Sequence, residues 1–283
     1  MAVPISAEKL FDIGGLPVTN SLVNGWVAVL IFGALALALR GRRAAKPRGL
    51  QNAVEALIEF LLNFMDQVTH DRAKSRQFLP IAGTLFLFIL LSNWLGLVPG
   101  VGSIGFWETK EGVRELVPLF RPATSDLNMT LAMGITAVLA SHVAGVAAIG
   151  FFKYCGKFIQ VGGLWRAIVN IGRVKPGEAA VNLFVAVVEI GVGLIELISE
   201  VAKMISLSLR LFGNVFAGEV LLYVFFRLVR FIVPVPFLFL ELMVGIVQAM
   251  IFSTLVLVYL TAATDKPHGE EGHEKHKEAV PAT

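Results

Sequence analysis

Ser206-Leu-Ser-Leu-Arg210-Leu-Phe-Gly213-Asn214-Val-Phe-Ala-Gly218-Glu219 sets one arginine and one glutamate in a stretch that is otherwise apolar, small or neutral. A guanidinium keeps its proton at any physiological pH. At bilayer depth a fixed charge costs roughly 2.5 to 3.5 kcal/mol on insertion scales, so a charge retained there points to ion handling. The rest of the chain places the stretch in a membrane: of 283 residues 56% are hydrophobic and 16% charged, with a mean hydropathy of +0.75. A soluble domain of that length would carry more charge. The expected class is therefore all-α, a polytopic helical membrane protein.

Working outward, residues 13–39, 77–107, 127–152 and 242–264 contain no Asp, Glu, Lys or Arg. Each exceeds the about 20 residues that a helix needs to cross a hydrocarbon core. Between the third and fourth runs, residues 178–226 are apolar but carry Glu178, Glu189, Glu196, Glu200, Lys203, Arg210 and Glu219, and hold no proline. As one helix that segment would run about 73 Å, more than twice the core thickness. One long, inclined helix and two helices with a turn near Gly191 or Gly193 are both compatible with it. Either adds one net crossing, for about five in all. Residues 1–264 are expected to form a single membrane domain, followed by a disordered charged tail over 265–283.

Basic residues orient the crossings. Residues 40–48 hold five Lys/Arg and no acid, as do residues 153–175, whereas 108–121 mixes three basic with three acidic residues. Cytoplasmic loops carry the Lys/Arg excess, so the N-terminus is expected outside and the C-terminus in the cytoplasm, with Arg227 and Arg230 against the rule. The first apolar run ends in Arg40-Gly-Arg-Arg43 and not in a small-residue cleavage site, which reads as a retained helix. Cys155 is the single cysteine, so no internal disulfide can form. Val54, Leu57, Ile58, Leu61, Leu62, Met65 and Val68 recur at helical spacing opposite Glu55, Glu59, Asn63 and Asp66, the pattern of an amphipathic interfacial helix over 51–70.

Polar residues within the apolar runs fall on rows. Glu196, Lys203 and Arg210 are seven apart, with Ser199, Ser206 and Asn214 on neighbouring rows. Lys203 can pair with Glu196, Ser199 or Glu200, so the lower half is either a satisfied internal network or part of a pathway. Arg210 has Ser206, Leu207, Gly213 and Asn214 one turn away and no carboxylate among them. Its partner must come from a distant helix or another subunit. Glu219 lies about 13 Å further along and roughly 180° around the same helix. Glu241 and Gln248, seven apart on the last span, form a second row that meets Asn214 and Glu219 if the two helices fold back through Pro234-Val-Pro236. Such a meeting makes either a water-filled half-pore or a closed hydrogen-bonded cluster.

The quoted stretch resembles the signature of subunit a of the rotary F-type ATP synthase, the membrane stator beside the c-ring. The similarity extends to Glu196 and Ser199, to Gln248 through Tyr259-Leu260, and to Asp126-Leu-Asn-Met-Thr130 at the opening of a span. The resemblance implies that Arg210 faces the ring carboxylate as an ion gate. It further implies that Asn214, Glu219, Glu241 and Gln248 line the outer half-channel, that Glu196 lies toward the inner one, and that Ser199 and Ser206 sit along the path. Residues 178–264 are then the channel hairpin. Members of the family often carry histidine at one of the two positions held here by Glu219 and Glu241, so relay by imidazole is absent from this pair. Implied partners are c-ring subunits, b-type peripheral stalk subunits, the rest of the F1Fo complex, membrane lipid, and H+ or Na+. The implied location is a bacterial inner (plasma) membrane, or alternatively an organellar inner membrane. The resemblance implies no cofactor, no resident metal and no nucleic acid partner.

A permanent cation between two offset half-channels blocks a direct leak while favouring ionisation of a passing carboxylate. Each charge crossing 100 mV supplies about 2.3 kcal/mol. No Gly-x4-Gly-Lys-Ser/Thr occurs, and Gly156-Lys157-Phe158 lacks the hydroxyl that would hold metal, so the chain is not expected to be catalytic by itself. His268, His273 and His276 in the charged tail read as solvated and not as a metal site. His142 beside Ser141 lacks a third orienting group for nucleophilic chemistry. An intramembrane hydrolase would need an activated nucleophile or His-Glu-x-x-His, and a secondary transporter would show repeat symmetry; none is present.

Overall fold

A computed structural model describes residues 6–40, 49–98, 104–110, 113–158, 176–228 and 234–265, and the chain is overwhelmingly helical. Two short strands, β1 (Lys9–Ile13) and β2 (Leu16–Thr19), precede the first helix as an antiparallel hairpin. Its two-residue turn is Gly14-Gly15, with φ of +60° and +87°, values that cost glycine nothing. The first span therefore starts later than residue 13: α1 runs Asn20–Leu39, and the Thr19 hydroxyl caps it by accepting from the Leu22 amide at 3.3 Å.

Helix α2 (Leu50–Thr69) is the expected amphipathic element, burying Leu61, Leu62 and Met65. Its polar row is gripped by Arg72, which donates to Glu59 and Asp66 at 2.6 Å and to Asn63 at 3.0 Å. Asp71 caps α3 (Arg72–Leu97) through the Ala73 amide, so that helix begins five residues before the uncharged run. It stops at Leu97 because Val98 precedes Pro99 and is extended. The helix of the second span thus ends at Leu97, short of the end of the uncharged run at residue 107. A second antiparallel hairpin, β3 (Gly105–Lys110) with β4 (Val113–Pro118), occupies the mixed-charge loop, which periodicity had left without structure.

A 3-10 turn at Ala123–Ser125 leads into α4 (Leu127–Ile149), where the Asp126 carboxylate accepts from the Asn128 amide. Gly150, at φ +94°, ends it before residue 152, and α5 (Phe151–Phe158) follows. Helix α6 is continuous over Pro176–Leu228, 53 residues, so the two-helix alternative for this segment is set aside. Helix α7 (Pro234–Thr264) starts eight residues before the uncharged run, with proline at its first position where no amide donor is needed. Helices α1, α3, α4 and α7 are each long and apolar enough to cross a membrane, and α6 is longer but charged. The basic segments 41–48 and 159–175, residues 229–233 and the tail from 266 lie outside the described residues.

Two compact units are present. One comprises residues 1–137 and 203–258, and its core is built from Phe78, Phe86, Ile89, Leu211, Phe252 and Val256. The other comprises 138–202 and 259–283, with Tyr154 and Leu260 buried. Helix α1 shows how the chain suits its solvent: Asn20, Ser21 and Asn24 are buried while Leu30 is 70% exposed. In lipid, exposed leucine is at no disadvantage and polar groups gain by facing protein. Close helix approach needs small residues, and a Cβ at Gly134 would overlap the Ser208 hydroxyl and stand 3.0 Å from the Met204 carbonyl oxygen. Gly134→Val is therefore expected to destabilise by about 1–3 kcal/mol, read as a lower midpoint in thermal unfolding of the detergent-extracted protein, with Gly134→Ala affected less.

Candidate functional site

Helices α6 and α7 share a polar seam within the first unit. The Asn214 side-chain amide donates to the Gln248 carbonyl oxygen at 2.6 Å, and Gln248 is 2% exposed. Two turns along α7, Glu241 is 8% exposed and lies against Gly218 of α6, where a Cβ would overlap its carboxylate. The two rows of polar residues therefore meet, and they meet because α6 offers glycine where α7 offers a carboxylate. Among the described residues Glu241 makes no hydrogen bond or ion pair.

A cavity of about 430 Å³ opens beside this seam, lined among others by Asn93 of α3, by Arg121 and Pro122, by Glu219 of α6 and by Glu241 of α7. Glu219 is held by Arg121, whose Nε and Nη2 both donate to one carboxylate oxygen at 3.0 Å. Arg121 is 3% exposed and also donates through Nη1 to the Ser6 carbonyl at 3.2 Å. Sequence reasoning missed Arg121, counting it as one more loop charge. Its signal was the step from a charged loop through Pro122 to the Asp126 cap, which brings the last residue of the loop inward. Asn93 was missed as well. Its carbonyl oxygen accepts from the Thr124 hydroxyl, and its buried amide nitrogen has no protein partner among the described residues.

The opposite side of α6 is different in kind. Ser206, Arg210, Gly213, Asn214 and Ala217 are all exposed, along with apolar Ile205 and Leu209. Among the described residues no carboxylate pairs with Arg210. Among the described residues, then, no other helix supplies the counter-charge. Glu196 is half-buried and Ser199 exposed further toward the start of α6.

In the second unit His142 Nδ1 lies 2.7 Å from the Tyr154 hydroxyl and Nε2 lies 3.7 Å from Glu200. Burial pushes the Tyr154 phenol above its ordinary range, with Glu200 and Glu196 adding to the effect. Ser141 donates to the Val138 carbonyl of its own helix at 2.7 Å, so it is not poised as a nucleophile on His142. No group of three or more potential metal ligands occurs among the described residues, and the tail histidines lie outside them.

The family model described as ATP synthase A chain matches residues 22–261. The chain belongs to this family. Among similar proteins, "ATP synthase subunit a 1" of Syntrophotalea carbinolica is 30% identical over 247 residues, covering 87% of this chain and 86% of that protein. "ATP synthase subunit a" of Trichlorobacter lovleyi is 30% identical over 251 residues, covering 88% and 89%, and that of Moorella thermoacetica is 27% identical over 253 residues, covering 89% and 94%. The match to the ATP synthase A chain family takes in the whole seam, from Arg121 through Gln248.

Gly218→Val is expected to drive Glu241 off the α6 backbone and lower the unfolding midpoint of the extracted protein, by about 1–3 kcal/mol. Adding Glu241→Ala makes room and should recover most of that loss. Gly213→Ala, where nothing lies within 4 Å, should leave the midpoint of the isolated chain unchanged.

Proposed function

We propose that this chain is the ion-translocating stator subunit of a rotary F-type ATP synthase, working with Arg210 as an electrostatic gate between two offset half-channels. The observation that carries the proposal is Arg210 itself, exposed beside Ser206, Gly213 and Asn214 and, among the described residues, paired with no carboxylate. A ring carboxylate carried past that face supplies the missing counter-charge. The fixed guanidinium favours the ionised form of that carboxylate and repels a proton moving directly from one side to the other.

The outer half-channel runs through the cavity. A proton entering from outside reaches the Glu219 and Glu241 region, passes along the Asn214–Gln248 amide bridge to the exposed face of α6, and neutralises a ring carboxylate. Asn214 stands one helical turn from Arg210, so delivery and gate are adjacent. After the ring has carried the proton through lipid, release on the other side of Arg210 leads toward Ser206, Ser199 and Glu196 on the inner side. The coupling ion is H+, or Na+ if the ring carboxylate selects it. Residues 178–264 act as the channel hairpin, and the chemistry of ATP belongs to other subunits.

Partners of this reading are the c-ring on the Arg210 face, b-type peripheral stalk subunits and the rest of the F1Fo complex, in lipid. The protein is placed in a bacterial inner membrane with its N-terminus outside and its C-terminus cytoplasmic, on the strength of the basic segments 40–48 and 153–175.

The experiment is ATP-driven acidification of inverted membrane vesicles carrying Arg210→Ala, with assembly checked by detergent extraction. An assembled complex that no longer pumps supports the gate, and Glu219→Gln should slow pumping without abolishing it. An assembled Arg210→Ala complex that pumps like the parent would show that the transport path lies elsewhere.

A further inference from the structure

Two carboxylates share the cavity, and their surroundings differ. Glu219 accepts two hydrogen bonds from one guanidinium, both on the same oxygen at 3.0 Å. The Arg121 side chain is 3% exposed and that of Glu219 26%, so the guanidinium is held by protein while the carboxylate borders the cavity. The guanidinium is also fixed at its far side, where Nη1 donates to the Ser6 carbonyl. An arginine cannot relieve a buried charge by losing its proton. The two donated hydrogen bonds and the adjacent fixed positive charge favour the ionised form of the Glu219 carboxyl.

Glu241 has none of this. It lies against the Gly218 backbone with no hydrogen bond or ion pair among the described residues. The charged side chains lining the cavity are Arg121 from the loop before α4, Glu219 from α6 and Glu241 from α7, and the groups contributed by α3 are neutral. Among the described lining residues the one cation, Arg121, is thus engaged with the other carboxylate.

We propose that Arg121 is a positioning residue of the outer half-channel, locking the Glu219 carboxylate as a fixed anion on the cavity wall so that Glu241 is the carboxyl that takes up each incoming proton. The inference rests on the half-channel role proposed above for the cavity. The proton leaves water in the cavity and binds a Glu241 carboxylate oxygen. It then departs through the Asn214–Gln248 bridge to the ring carboxylate, returning Glu241 to its anion. Glu219 keeps its charge throughout and holds a favourable potential for cations in the cavity.

The test uses the complete complex in liposomes, with potential-driven proton flux measured as a function of pH on the outer face. Variants are Glu241→Gln, Arg121→Gln, Arg121→Lys and the double variant Arg121→Gln with Glu219→Gln. Arg121→Gln alone frees Glu219 to titrate beside Glu241, so flux should fall by at least about tenfold, as when a positioning partner is lost, and the pH profile should broaden. The double variant removes both charges together, and should restore the shape of the parent pH profile while flux stays below the parent's, because the wall anion is gone. Arg121→Gln with the parent's flux and profile, or a double variant with a profile as broad as the single's, overturns the proposal.

Assembly is checked for each variant. If neither neutral variant assembles, Arg121→Lys decides: it keeps the charge but loses the two-nitrogen grip, so a broadened profile supports the proposal and an unchanged one overturns it. Glu241→Gln separates the two layers of argument. Normal flux in that variant removes the half-channel role of the cavity, whereas loss of flux there with no rescue of the profile in the double variant removes only the role of Arg121.

Discussion

Charge in hydrocarbon has to be answered by another charge, by water or by a proton, and the described structure is arranged around how each charged group in its helices is answered. Arg121 and Glu219 answer each other inside the protein. Glu241 is left to a cavity of about 430 Å³. Arg210 is answered by no carboxylate among the described residues, and its face of α6 is exposed. A monomer would gain nothing by holding an unpaired guanidinium there.

The scaffold serves that arrangement by inverting the packing of a soluble protein. Polar residues such as Asn20, Asn24 and Ser92 are buried, while long aliphatic side chains of α1 and α6 face outward. With lipid outside, apolar burial no longer draws helices together, so approach depends on small residues and on hydrogen bonds between helices. Gly134 against Ser208, Gly218 against Glu241, and Asn214 with Gln248 are the places where this is visible. Each is a fitted contact, and two of the three coincide with the seam that the proposed ion path follows.

Much of the helix plan was readable from sequence, because long uncharged runs and a helical polar row leave few alternatives in a bilayer. Element ends were less readable. Gly14-Gly15, Asp71, Val98 before Pro99, and Gly150 each moved a boundary, since a turn or cap costs less than extending an apolar run to its last residue. The β3–β4 hairpin was hidden because it lies in a mixed-charge segment without clear alternation. Continuity of α6 could be expected but not decided from its residues, as glycine at 191 and 193 permits a turn without requiring one.

What the sequence determined by itself was the solvent, the four long uncharged runs, and the identity of Arg210, Asn214, Glu219, Glu241 and Gln248 as polar groups in apolar runs. Periodicity along one helix is a local property, and so it placed Arg210 and Glu219 on opposite sides of α6. Only the tertiary structure decided which groups touch. It joined Arg121 to Glu219 across a separation of 98 residues, set Glu241 on Gly218, and left Arg210 without a carboxylate partner among the described residues. Those facts depend on how separate helices and a loop pack, and no spacing rule within one element encodes the distance between two.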